Sequence, residues 1–200
     1  MASIGLRHPY YAIYNYDETS GAVTYSNGGL LGKAVSFSAS MENSDANNLY
    51  ADDGIAESDN SFGGGTLTIS TDDLEQKASA AILGITPSTI TVGETEVSEL
   101  VYDENMNPPY MGFGVIIPRK KNGVVSYRAV VLLRIQFSVP EESAETKGES
   151  IEWKTPELSA TILRSEAENS PWKREATLTS LAQAKAYIKQ ILNITEGSGS

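Results

Sequence analysis

Residues able to do chemistry are sparse in this chain, and none falls into a reactive pattern. His8 is the single histidine. It precedes Pro9, and with no Gly-x-Ser-x-Gly in the sequence a serine nucleophile has nowhere else to find a base; His8 is read as structural. Cysteine is absent, which removes disulfides, thiolate zinc sites, iron-sulfur ligation and cysteine nucleophiles together. Gly28, Gly29, Leu30, Leu31, Gly32 and Lys33 approach a phosphate loop, but Asn27 stands where its first glycine belongs and Ala34 where its magnesium-binding hydroxyl belongs. That stretch is read as a turn before a strand. Asp52, Asp53, Glu57 and Asp59 offer carboxylates to calcium without the alternating spacing, central glycine and closing glutamate of a calcium loop. Acid pairs for glycoside hydrolysis could converge from anywhere, and no spacing favours one. Asn193-Ile194-Thr195 is a glycosylation sequon by pattern alone. The expectation is no enzyme, no metal and no cofactor.

The bulk composition points the same way. With 200 residues the chain makes one domain, large enough to bury about 70% of its unfolded surface. Lys and Arg number 15 against 26 Asp and Glu, a net charge of −11 and a pI near 4.5. A protein that grips phosphates needs a basic stripe to displace counterions, so tight binding to nucleic acid or an anionic membrane surface is disfavoured. No apolar run approaches the ~18 residues of a membrane span, and Met1 to Tyr10 lacks a signal peptide's apolar stretch. A soluble protein of a reducing compartment is expected.

The elements that must position any site are mostly strands. Apolar and polar residues alternate through much of the chain, as in strands with one face on a core and one on water or a partner. Tyr10, Ala12, Tyr14 and Tyr16 share one face of a first strand, and Asp17 to Gly21 turns it into Ala22 to Tyr25. Lys33 to Ser40 alternates with Val35, Phe37 and Ala39 on one side, and Thr66 to Ser70 does so with Leu67 and Ile69 inward. Tyr110 to Pro118 and Val124 to Phe137 flank Asn122-Gly123, the strongest short hairpin signal. The second of these strands spans about 45 Å. It carries Ala129, Val131, Leu133, Ile135 and Phe137 on one face and Arg128, Val130, Leu132, Arg134 and Gln136 on the other. A helix is expected from Asp72 to Leu83, with Asp72 as N-cap, Glu75 as its capping-box partner, Gly84 as stop and Leu74, Ala78, Ala81 and Ile82 on the core side. A second begins at Ser180, with Gln183 in its box and Leu181, Ala184, Ile188, Ile191 and Leu192 on one stripe. Residues 1–193 are read as one domain and 194–200 as a flexible tail.

Charge is segregated between these elements. Met41 to Gly65 holds six acids and no base, Glu94 to Glu104 five acids and no base, and Arg119 to Arg134 five bases and no acid. Read as long polar loops or arms, opposite-signed segments suit head-to-tail contact between copies. The ten tyrosines support a second reading, a monomeric β-sandwich binding module for carbohydrate or adhesion, with Tyr10, Tyr14, Tyr16 and Tyr50 as an exposed stacking face.

Three stretches resemble one family. Ile4-Gly5-Leu6 to Tyr11-Ala12-Ile13 is similar to the first strand of major tail proteins, the tail-tube subunits of long-tailed bacteriophages, particularly those of Gram-positive hosts. Asn48-Leu49-Tyr50-Ala51-Asp52-Asp53-Gly54 to Glu57 resembles a second motif of that family. Lys147-Gly148-Glu149-Ser150-Ile151-Glu152-Trp153-Lys154-Thr155-Pro156 resembles a third. With the Trp172-Lys173 strand and the closing helix in order, the likeness runs from Ile4 to Asn193. It implies a β-sandwich or barrel-like subunit with a flanking helix and a C-terminal helix. Hexameric rings would stack into a virion tail tube, assembled in the host bacterial cytoplasm, with tape-measure, tail-terminator and distal-tail proteins as further partners. If each copy gives four strands to one barrel, about 24 strands tilted by about 45° enclose a channel of roughly 40 Å, wide enough for duplex DNA. A ring of chains carrying −11 each holds about 66 negative charges, and a lumen of that sign leaves DNA no counterion-release gain from sticking. The resemblance does not separate contractile from non-contractile tails. Met41 to Gly65 and Pro140 to Gly148 are the expected neighbour contacts, through Tyr50, Asp52, Asp53, Glu57, Glu141, Glu142 and Lys147, with Arg119, Lys120 and Lys121 meeting acids of the next copy.

Overall fold

A computed structural model describes residues 2–43, 47–51, 54–59, 61–104, 106–141 and 155–195. The strands are β1 (Ala2–Ser3), β2 (Arg7–Asp17), β3 (Ala22–Leu30), β4 (Ala34–Asn43), β5 (Asn47–Ala51), β6 (Gly54–Asp59) and β7 (Phe62–Thr71), followed by helix α1 (Gln76–Leu83). Then come β8 (Ser88–Val92), β9 (Thr95–Glu99), β10 (Tyr110–Lys121), β11 (Val124–Phe137), β12 (Glu157–Leu163), β13 (Lys173–Leu178) and helix α2 (Leu181–Ile191). The fold is mainly β, with the flanking and C-terminal helices the sequence calls for.

Nine strands form one antiparallel sheet in the order β3-β2-β10-β11-β12-β7-β4, with β1 added on β10 and β13 on β11. Strand β11 is the corner. Its first half pairs with β13, Tyr127 to Leu132, and its second half with β12, Arg134 to Phe137. Between the halves, Met111 of β10 pairs with Ile135 but Phe113 pairs with Leu132, so β11 inserts one extra residue. A bulge bends a strand and reverses which face later side chains occupy. Val130 and Leu132 therefore share the inner core with Ile135 and Phe137, while Ala129, Val131 and Leu133 face the other side. The single apolar face expected for β11 is thus corrected: strict alternation is broken at the bulge.

The bend folds β12, β7 and β4 over β2 and β10 to enclose the inner core. Leu67, Ile69, Leu158 and Ile162 from one side meet Met111, Phe113 and Val115 from the other. Phe37 of β4 stacks on Phe113 of β10 with centroids 6.2 Å apart. Phe37 is partly buried, and each fully buried side chain, Phe113 among them, stabilises the fold by about 1.5–3 kcal/mol relative to exposure. Helix α1 plugs this core with Ala78, Ile82 and Leu83.

The outer face of β2, β10 and β11 does not meet water, as half-buried strands would. It lies under α2, which buries Ala184, Ile188 and Leu192 against Tyr10, Ala12, Tyr14, Tyr25 and Ile116. The Ser180 side chain accepts from Gln183 N at 3.2 Å to start α2, as the capping box predicts. Ile194, assigned by sequence to the flexible tail, packs against this outer core.

Three further expectations are corrected. Helix α1 starts at Gln76 with Glu75 as N-cap and no side-chain cap bond. The carboxylate of Asp72 is occupied elsewhere, accepting from Lys33 N at 2.8 Å and pairing with Lys33 Nζ at 3.2 Å. Those bonds, the Lys33 N–H first, hold the Asp72 carboxyl below its ordinary range. Val35 is 54% exposed because the β4–β7 register shifts between Ala34 and Ser36. The segment read as a loop from Met41 to Gly65 is largely strand: the end of β4, the separate pair of β5 on β6, and the start of β7.

Candidate functional site

The features a partner could use lie on the sheet's rim. Its path ends in two strands, β3 and β4, and among the described residues neither has a second neighbour. Exposed edges template pairing with other chains, and soluble proteins guard them with Lys, Pro or short strands. Neither Ala22–Leu30 nor Ala34–Asn43 contains Lys, Arg or Pro, and they run 9 and 10 residues. The β4 edge is open, whereas on β3 the Tyr25 carbonyl accepts from Asn193 Nδ2.

Behind the β4 edge, side chains that turn away from the core form cross-strand rows. Ser36, Ser70 and Glu157 make one row, Ser38, Thr68 and Ser159 the next, and Ser40, Thr66 and Thr161 the third. Ser36 and Ser70 join their hydroxyls at 3.0 Å. Glu42 lies one step further along β4, and these rows contain no base. Among the described residues these rows are polar and weakly acidic, with Lys33 and Arg164 beyond their ends.

The basic run from Arg119 to Arg134 divides in two. Arg128 pairs with Glu175 at 2.5 Å and Arg134 with Glu166 at 2.9 Å, and the Arg134 guanidinium lies 4.0 Å from the Tyr110 ring centroid. These two arginines hold the sheet and its neighbouring loop together. Arg119, Lys120 and Lys121 are left at the tip of the β10–β11 hairpin, where Asn122 (φ 50°) and Gly123 (φ 82°) form the turn. Lys120 and Lys121 are exposed, Arg119 is half-buried, and Val124 opposite Lys121 is 70% exposed. Among the described residues none of the three pairs with a carboxylate.

Arg128, then Lys173, donates to Glu175 and holds its carboxyl down at about 2, from an ordinary 4.5. A depressed acid stabilises the fold fully above its unfolded pKa and loses that contribution as pH falls through its folded one. Glu175→Gln is therefore expected to flatten the acid limb of stability between about pH 4.5 and 2 in urea titrations. The carboxylate is nearly half exposed, so solvent screening keeps the difference below about 1 kcal/mol.

One feature was missed by sequence reasoning. Ser88–Val92 and Thr95–Glu99 form a separate hairpin, with Ile90 opposite Val97 and Val92 opposite Thr95. Ile90, Val92 and Val97 are 43%, 59% and 42% exposed. The local signal is Thr89-Ile90-Thr91-Val92 alternating up to Gly93, and its second strand falls within Glu94 to Glu104, the stretch expected to be an acidic loop. The hairpin is anchored at its base by Gln76 Nε2 donating to Ser98 O at 3.0 Å.

The other candidates fall as follows. Tyr50 and Glu57 lie on β5 and β6, paired with Ile55 and Leu49. Asp52, Asp53, Glu142 and Lys147 lie outside the described residues, as does most of the Lys147–Pro156 motif. Glu141 is exposed beside a cleft with Tyr102, Val139 and Pro140. Tyr10 and Tyr14 are buried under α2 at 4% and 7% exposure, which corrects the idea of an exposed tyrosine face. Gly28, Gly29 and Leu30 belong to β3, which corrects the turn expected there and confines it to 31–33 before β4, and a side chain at Gly28 would collide with Ile194. Asn193 Nδ2 donates to Tyr25 O at 3.1 Å and is tied into the fold. His8 stacks on Tyr10, and burial, then Lys185, lowers its pKa.

Among the described residues no group of three or more His, Asp or Glu is placed to hold a metal, and no helix is long and apolar enough to cross a membrane. No protein-family model matches the chain, and no curated protein does.

Proposed function

We propose that the chain is a tail-tube subunit of a long-tailed bacteriophage of a Gram-positive host, closing into hexameric rings that stack into a conduit for DNA. The two edge strands carry the reading, β4 open and β3 tied at Tyr25 by Asn193. Long strands without lysine or proline invite pairing, and a closed ring of copies removes both edges at once. The hydroxyl rows of β4, β7 and β12 suit the channel wall, because serine, threonine and glutamate give passing phosphates no cation to release counterions onto. The resemblance in Ile4–Ile13, Asn48–Glu57 and Lys147–Pro156 supplies the specific family, and with it the tape-measure, terminator and distal-tail partners.

Negative-stain electron microscopy of the purified protein, with sedimentation velocity beside it, tests the reading. Rings or hollow tubes are expected. A chain that stays near 21.5 kDa at high concentration and binds a glycan would overturn it in favour of the monomeric binding module. Burial of Tyr10 and Tyr14 takes from that module two of its four stacking residues.

A further inference from the structure

We propose that the β8–β9 hairpin of one copy docks on the β10–β11 tip of a second copy, joining successive rings; this rests on the tube reading above. A two-stranded hairpin standing alone is marginal in water, and this one exposes Ile90, Val92 and Val97 along one face. Its charge has a single sign. Glu94 sits at the turn, Glu96 on the opposite face, and no Lys or Arg occurs from Gly84 to Glu104.

The tip of β10–β11, flanked by β1 at Arg119 and Lys120, carries the opposite charge. Val124 and Val125 are exposed there beside Arg119, Lys120 and Lys121, and no acid occurs from Tyr110 to Phe137. Valines on each side provide apolar contact, and opposite charge sets the register.

The two patches cannot meet within one chain. The β8–β9 hairpin leaves the body next to α1, whose closing Gly84 abuts Asn107 and Pro109, just before Tyr110 begins β10. The basic tip lies at the other end of that strand. Its 12 residues, at about 3.3 Å each, put the root of the hairpin about 40 Å from the tip, farther than a five-residue strand reaches. A patch at one end of a molecule that fits a different patch at the other end makes a head-to-tail contact, which repeats along an axis instead of closing on itself. That is the geometry of stacking.

Charge reversal on the full chain tests the contact. Glu94→Lys with Glu96→Lys reverses the hairpin, Lys120→Glu with Lys121→Glu reverses the tip, and a third variant carries all four changes. All are exposed positions, so circular dichroism should report native folding. Each reversed variant is expected to raise the polymerisation threshold about tenfold or more while rings persist. An equal mixture of the two reversed variants, and the four-change variant alone, should recover tubes because each hairpin again faces a tip of opposite sign. Tubes formed by the reversed variants at the wild-type threshold, or no recovery in the mixture and the four-change variant, overturn the docking assignment and leave the tube reading standing. A wild-type chain that stays monomeric overturns both.

Discussion

Gly114→Val is expected to lift α2 from the sheet and to cost about 3 kcal/mol, as overpacking of a filled contact does. Gly114 lies on β10 opposite Val131 and faces the helix, and a Cβ there would sit inside the envelope of the Ile188 Cγ2 methyl. Gly112, two residues earlier, does the same for Leu192 and Tyr25. The two glycines form a groove in a strand that is otherwise bulky and apolar, and α2 seats its Ile188 and Leu192 there. At about 2–4 °C per kcal/mol for a chain of this length, the midpoint of thermal unfolding should fall by about 6–12 °C. Ile188→Ala alone leaves a cavity and costs about 2–5 kcal/mol. The double variant should lose less than the sum of the two, because the alanine vacates the space the valine needs. Strict additivity in that cycle would show that Gly114 does not act through Ile188.

The second large effect is expected at the opposite core. Phe113→Ala should cost about 3–5 kcal/mol. Phe113 is fully buried and meets Phe37 nearly face to face, with ring planes 9° apart. This contact ties β4 to β10 across the fold, two strands that the sheet path joins through the three strands β11, β12 and β7. Hydrogen exchange should therefore quicken most in β4 and β7, and less in β2 and β10, which α2 also covers. Because β4 carries an open edge and the hydroxyl rows, the same variant should assemble poorly even below its melting temperature. Uniformly faster exchange in all four strands would argue against this local role.

Much of the architecture was legible because it is written in short-range patterns. Asn122-Gly123 dictates a hairpin through its tolerance of positive φ, and Ser180 with Gln183 dictates where α2 begins. The stripe of Ala184, Ile188 and Leu192 fixes the face that α2 buries. The absence of cysteine and the lone histidine limited the available chemistry before any fold was known.

Long-range competition decided the rest. Asp72 is a good helix cap in isolation, but Lys33, brought alongside by the β4–β7 pairing, takes its carboxylate and α1 starts later. The faces of β11 depend on a bulge that only the pairing with β10 reveals. Whether Arg128, Arg134, Tyr10 and Tyr14 are available to a partner depends on Glu175, Glu166 and α2, each distant in sequence. Local propensity and spacing are properties of neighbours along the chain, so sequence states them directly. Which groups remain free for another molecule is settled only after tertiary contacts have used up the others, and here that leaves the open β4 edge, a basic tip and an acidic hairpin.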